Sequence, residues 1–275
     1  MITMSENNSG AGEPSKPSGE PATAGHRSEG AEELHQRLDR IEGMLVSWRA
    51  PEGEAPIEPA WRRATEGEQR WAVTVAILVA VGLQLFLPAR LTIHPHWMLP
   101  ALELALLVAL AGLNPHRRVD HASRSLRALS LCLVAAMSLA NGWSAVKLVR
   151  ELLHASGTAA PALLGTGGAI WATNVIAFAL WYWEWDRGGP AARARGDKNY
   201  PDFLFPQMQA HELAPARWEP TFLDYLYVAF TNATAFSPTD TMPLSVWAKM
   251  LMMFQTVVSL MIVVLVVARA VNILQ

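Results

Sequence analysis

From Trp71 onward the chain is a succession of apolar blocks, separated by short charged stretches. A segment lying in lipid must satisfy every backbone N–H and C=O internally, so blocks of this kind can fold only as helices or as a closed barrel. Their lengths decide for helices. They run over about 71–88, 97–113, 126–149 and 163–185, then a short, moderately apolar stretch at 222–236, then a long one at 246–273. The first alone covers about 27 Å of hydrocarbon at 1.5 Å per residue. The expected fold is an all-α integral membrane protein with five to six hydrophobic helices, including one short or re-entrant segment at about 222–237. Apolar residues make up 51% of the chain and charged residues 17%. That average understates the case, because most of the polar composition lies before residue 71.

The N-terminal part divides by composition. Residues 1–30 are rich in Ser, Gly, Pro, Ala and Glu and hold too little apolar surface to offset the entropy of ordering, so a disordered tail is expected. Over 31–49, Leu34, Leu38, Ile41, Leu45 and Trp48 recur at spacings of four and three, interrupted by Gly43. This is an amphipathic helix, either single or joining protomers as a short coiled coil. A linker at 50–70, stiffened by Pro51, Pro56 and Pro59, leads to the four-helix region at 71–185. No basic, apolar leader opens the chain, so the first span is expected to direct insertion.

Within the spans, Gly165, Gly168, Ala169 and Ala172 have the small-xxx-small spacing that lets helices approach closely. Trp181, Tyr182, Trp183 and Trp185 are the residue types of an interfacial belt. Polar residues at membrane depth are expensive unless they pair or line water. They are Glu103, Asn141, Asn174, Thr231, Asn232, Thr234 and Gln255. For the amides and hydroxyls the readings are interhelical hydrogen bonding or a polar path. For Glu103 they are an interfacial position near Trp97, a pair, or a place on an ion path. Residues 186–220 form a long polar connection whose Asp202-Phe203-Leu204-Phe205-Pro206 and Trp218 suit a membrane surface.

The stretch from Tyr227 through Thr234 and Ser237-Pro238-Thr239 to Asp240, followed by Pro243 and an apolar helix carrying Arg269, resembles the pore module of tetrameric potassium channels. The resemblance implies a pore helix, a filter-like return and an inner helix over 221–275, assembled in a homo-oligomer. Its pore-like positions are Thr231, Thr234, Ser237, Pro238, Thr239 and Asp240. Where potassium channels carry Gly-Tyr-Gly this chain has Ser237, Pro238 and Thr239, and proline's fixed φ does not permit a carbonyl ladder. Asp240 is either one member of a cation-attracting ring or a turn residue in a Ser-Pro-Thr-Asp segment. A wider pattern, Gly188-Gly189, Asp202-Phe203-Leu204-Phe205-Pro206, Asp224-Tyr225-Leu226-Tyr227 and Ser237-Pro238-Thr239-Asp240, is similar to uncharacterised bacterial inner-membrane proteins that carry a degenerate pore-like segment.

Lys and Arg are concentrated in alternate connections. Arg62, Arg63 and Arg70 precede the first span, Arg117, Arg118 and Arg124 follow the second, and Arg187, Arg193, Arg195, Lys198 and Arg217 follow the fourth. The rule of positive loops inside places these in the cytoplasm, with the N-terminus, in a cytoplasmic inner membrane. A potassium-channel pore would have its 186–220 equivalent outside. The two are reconciled if 222–237 crosses as a sixth helix, leaving Asp240 and Pro243 outside and Arg269 inside; a segment re-entering from the cytoplasm is the other arrangement.

Catalytic signatures are absent from the sequence: there is no HExxH, no phosphate-cradling glycine loop and no Ser-His-Asp pattern. Cys132 is the single cysteine. His94 with His96, and His116 with His121, are interfacial anchors or, less in keeping with their setting, metal ligands. The expected function is non-enzymatic: a channel-like module passing cations or small solutes with little selectivity, or a non-conducting structural or regulatory protein docking a partner through its tail. The bilayer is the expected surrounding, with no cofactor, metal or nucleic acid.

Overall fold

A computed structural model describes residues 25–48, 59–113, 124–154, 159–234 and 240–274. The expected disordered tail, apart from 25–30, lies outside the described residues. So do the first part of the linker, the His116 and His121 pair with Arg117 and Arg118, and Ser237, Pro238 and Thr239.

The chain forms two separate units, divided after Ile57. The first contains α1, Gly25–Trp48, which runs unbroken through Gly43 with Leu34, Leu38 and Ile41 exposed along it. An i,i+4 pair, Arg37 with Glu33 at 2.9 Å, lies among its charged positions.

The second unit is a helical bundle built around α5, Ala160–Trp185, which packs against α2 (Trp71–Phe86), α4 (Arg124–Leu153), α8 (Phe222–Thr234) and α9 (Val246–Leu274). Helix α3, Met98–Leu113, packs on α2 and α4. Among the described residues, three helices are long and apolar enough to cross a membrane: α4, α9 and the α5 helix with its continuation to Arg195. Helices α2 and α3 are apolar but shorter. Helix starts and stops follow local chemistry. Pro161 opens α5, Pro190 opens α6 (Pro190–Arg195) and Pro206 opens the single turn α7 (Pro206–Gln209). Gly196, at φ +69°, closes α6 in the left-handed conformation that glycine accepts without strain.

The bundle has two distinct ends. At one, the last turn of α5, the start of α2 and the start of α9 come together under residues 186–220. At the other, Arg90, Glu151, Leu163, Thr166, Arg269 and Ile273 line one cleft, and Arg90 bonds Glu151 at 3.2 Å. Arg269 therefore lies opposite the arginine-rich end, which corrects the expectation that it shares a side with the cytoplasmic loops.

Helix α8 does not carry the chain from one end to the other. Its Phe222 packs edge-on against Trp183 of α5, its Phe230 reaches Trp171 deeper in the bundle, and the chain is back at the first end by Met242. There β2, Met242–Pro243, pairs antiparallel with β1, Phe203–Leu204, in register Phe203 with Pro243. This two-residue ladder is also the departure from a purely helical fold. It corrects the sixth-crossing arrangement: Pro243 is held by the 186–220 connection, at the end of the bundle where α8 starts.

Close helix packing occurs at a different glycine from those expected. A Cβ on Gly167 would lie 2.7 Å from a methyl of Val266 in α9, whereas Gly165 and Gly168 face open space. The aromatic belt is likewise internal in part: Tyr182 and Trp183 are buried, and Trp185 is the exposed member.

Candidate functional site

Residues 186–220 are an integral cap on the bundle, and Asp186 is its centre. This fully buried carboxylate accepts from the backbone N–H of Asp202 at 2.8 Å and of Phe203 at 3.3 Å through Oδ1, and from the Tyr225 hydroxyl at 2.5 Å through Oδ2. Arg193 supplies the opposite charge. Its Nη1 donates to the carbonyls of Trp183 at 2.5 Å and Asp186 at 3.1 Å, and its guanidinium lies 5.0 Å from the Tyr225 ring. Arg187, in the left-handed region at φ +54°, donates to the carbonyls of Lys198 and Trp61.

Asp202 extends the cap to the third element. Its carboxylate accepts from the Arg187 N–H and the Trp247 indole, both at 2.9 Å, and its carbonyl accepts from Leu244 at 2.8 Å. Phe203, fully buried, has its ring centroid within 5.0 Å of Tyr182, 5.7 Å of Trp247 and 6.2 Å of Tyr225. Gly189 is required where it stands, since at φ +99° a Cβ would meet the Glu184 carbonyl at 2.8 Å. The spaced motifs around Gly188-Gly189, Asp202-Phe203 and Asp224-Tyr225 thus converge on one structure. Asp224 acts locally, where its Oδ2 accepts from the Thr221 N–H at 2.7 Å and hydroxyl at 2.8 Å and so satisfies a backbone donor at the start of α8.

Glu68, just before α2, ties the linker to this cap. It accepts from the Phe222 N–H at 2.7 Å and the Trp183 indole at 2.8 Å. Burial pushes its carboxyl above the usual glutamate range, and those two donors partly offset the push.

Below the cap, α8 and α9 share a polar network with α5. The Tyr182 hydroxyl donates to Gln255 Oε1 at 2.5 Å, and Asn232 Nδ2 donates to the same oxygen at 2.8 Å and to the Met252 carbonyl at 2.9 Å. Gln255 Nε2 donates to the Ala229 carbonyl at 2.8 Å, and Thr256 donates to Asn232 Oδ1 at 3.1 Å. Asn174 donates to Ser259 at 3.0 Å one level further down. Such bonds tie α8 to α5 and α9 inside the bundle, where unpaired amides would be costly.

The pore-like positions are distributed differently. Thr231 bonds the carbonyls of Tyr227 and Val228, and Thr234 that of Thr231, so both hydroxyls are spent on their own helix. Asp240 is exposed at the arginine-rich end. Glu103 and Asn141 lie elsewhere: Glu103, fully buried, receives Gln84 Nε2 at 3.1 and 3.2 Å, and Asn141 Oδ1 has no hydrogen-bond partner among the described residues. Glu103 is therefore paired through a neutral amide. Among the described residues no cluster of His, Cys, Asp and Glu has the makings of a metal site.

Sequence reasoning passes over Glu68, Glu184, Asp186, Tyr182 and Thr256 as site residues. A signal exists for Asp186, an acidic residue directly after a long apolar helix and before a Gly-Gly turn, but its partners lie up to 39 positions away. Comparison with protein-family models, curated proteins and solved structures yields no match.

Proposed function

We propose that this chain is a multi-pass protein of the cytoplasmic membrane, crossing with α2, α3, α4, α5 and α9, and that its C-terminal module forms a poorly selective path for cations or small solutes in a homo-oligomer. The observation that carries this reading is the layout of that module. A helix enters from one end, the chain returns to the same end, and a long apolar helix follows, which is the order of parts in a pore-loop protein. Charge supports the orientation: Arg62, Arg63, Arg70, Arg187, Arg193, Arg195 and Lys198 gather at the end where α8 enters, against Arg90, Lys147, Arg150 and Arg269 toward the other. The module then opens toward the cytoplasm and the C-terminus lies outside. The proline at 238 and the lack of filter glycines argue for weak selectivity.

A non-conducting scaffold is the second reading, and a specific observation favours it. Tyr182, Asn232, Gln255 and Thr256 saturate one another, leaving their polar groups engaged in packing. Reconstitution decides between them. Purified full-length protein in liposomes releases trapped potassium or sodium under the first reading, and Asp240→Asn lowers that cation flux. Liposomes that stay tight at every protein density support the scaffold.

A further inference from the structure

Helix α1 belongs to the first unit, and its apolar side chains are uncovered: Leu34, Leu38 and Ile41 are 58%, 53% and 49% exposed. With Leu45 and Trp48 in the sequence they keep the four-three spacing of a heptad seam, which sets Leu38 and Leu45 at a and Leu34, Ile41 and Trp48 at d. The same register puts Ala31 at the preceding a and Gly43 at f, the position farthest from the seam. A missing side chain there takes nothing from an interface, and the helix runs through Gly43 unbroken.

The positions flanking the seam carry charges of opposite sign. Arg37 falls at g and Glu42 at the following e. In a parallel coiled coil, g of one helix meets the next e of its neighbour, so Arg37 of one copy faces Glu42 of another. Antiparallel packing sets g against g and e against e, and loses that contact. Arg37 is not committed elsewhere, since its bond to Glu33 is an exposed i,i+4 pair of the weak kind. A lipid surface is the other apolar phase such a stripe could cover, and its chemistry fits less well. Helices that lie on anionic membranes are rich in Lys and Arg on the polar face, whereas the five carboxylates of α1 outnumber its three arginines.

We propose that α1 is an oligomerisation seam, a parallel coiled coil between copies of this chain, with Leu34, Leu38 and Ile41 packed on their counterparts and Arg37 of one copy paired with Glu42 of the next. Seams this short are marginal between helices free in water, but copies held in one membrane meet at a high effective concentration. The seam rests on the membrane reading for that proximity alone and is independent of whether the C-terminal module conducts.

The test is disulfide cross-linking of full-length chains in isolated membranes, in a Cys132→Ser background, with copper phenanthroline as oxidant. Leu34→Cys at d and Leu38→Cys at a should each join two copies, while Gln36→Cys at f should stay monomeric. Position 34 also reports direction, because antiparallel packing would set it against 45. Arg37→Glu in the Leu34→Cys chain should slow disulfide formation about fivefold, and adding Glu42→Arg should restore the rate, which damage to the single helix would not allow. Cross-linking at neither 34 nor 38, equal rates at 34 and 36, or no rescue by the double exchange overturns the proposal. Absence of cross-linking, with a bimane label at position 34 quenched by brominated lipid, would assign the stripe to the membrane surface instead. Failure of the membrane reading would be seen separately, as release of the chain from cell membranes by alkaline carbonate, and failure of conduction as liposomes that stay tight while position 34 still cross-links.

Discussion

The Tyr225 hydroxyl donates a 2.5 Å hydrogen bond to Asp186 Oδ2, joining the first turn of α8 to the residue at which α5 ends. Because Asp186 Oδ1 also holds the N–H groups of Asp202 and Phe203, one carboxylate fixes the end of a long apolar helix, the strand β1 and the start of α8. Removing the hydroxyl leaves that buried oxygen short of a donor. Tyr225→Phe should lower stability by about 1–3 kcal/mol, measured by thermal unfolding in detergent. Tyr227→Phe, on the exposed side of the same helix, should stay within about 0.5 kcal/mol.

The close approach of α5 and α9 at Gly167 gives a paired prediction. Gly167→Ala drives a methyl against Val266 and should destabilise by about 1–3 kcal/mol. Gly165→Ala meets open space and should be neutral or stabilising by up to about 1 kcal/mol. Adding Val266→Ala to Gly167→Ala should recover part of the loss, which a general helix effect would not show.

Gln255 is the shared partner of Tyr182 and Asn232. Gln255→Leu removes the acceptor for both and the donor to the Ala229 carbonyl, so unfolding should become easier by about 1–3 kcal/mol.

Glu68 makes the cap sensitive to pH. Its carboxyl titrates above the usual glutamate range in the folded protein, chiefly through burial, so the folded state holds the proton more tightly than the unfolded chain does. Its contribution is therefore most favourable in acid and declines as pH rises from the ordinary glutamate value through the raised one. Glu68→Gln should flatten that part of the stability profile, as read from melting temperatures between pH 4 and pH 8 in steps of about one unit.

Much of the helical layout can be read from the sequence because hydropathy and length act locally: α4, α5 and α9 are apolar over enough residues to announce themselves. Helix α8 is harder to read. Its 13 residues cover about 20 Å, short of a hydrocarbon core of about 30 Å, and that length sets it apart from the longer helices around it. The arginine count locates the loops but carries no information on whether the short helix returns. At the site, the membrane-depth pair Asn232 and Gln255 is legible as polar residues needing partners, and each supplies one for the other. The cap is legible only as scattered motifs, since Asp186 with Tyr225 and Asp202 with Trp247 meet across 39 and 45 positions of chain. The small-residue spacing points to the right helix but the wrong glycine, because which face of α5 meets α9 depends on packing that no spacing rule encodes.

Re-entry of α8 is the central claim, and sided cysteine labelling tests it most directly. In a Cys132→Ser background, Glu212→Cys, Asp240→Cys and Ile273→Cys are probed singly with an impermeant maleimide in intact and permeabilised cells. The account predicts that positions 212 and 240 label only after permeabilisation, while position 273 labels from outside. Labelling of 240 from outside, with 212 and 273 reached only after permeabilisation, would mean that 222–237 crosses the membrane, and would contradict it.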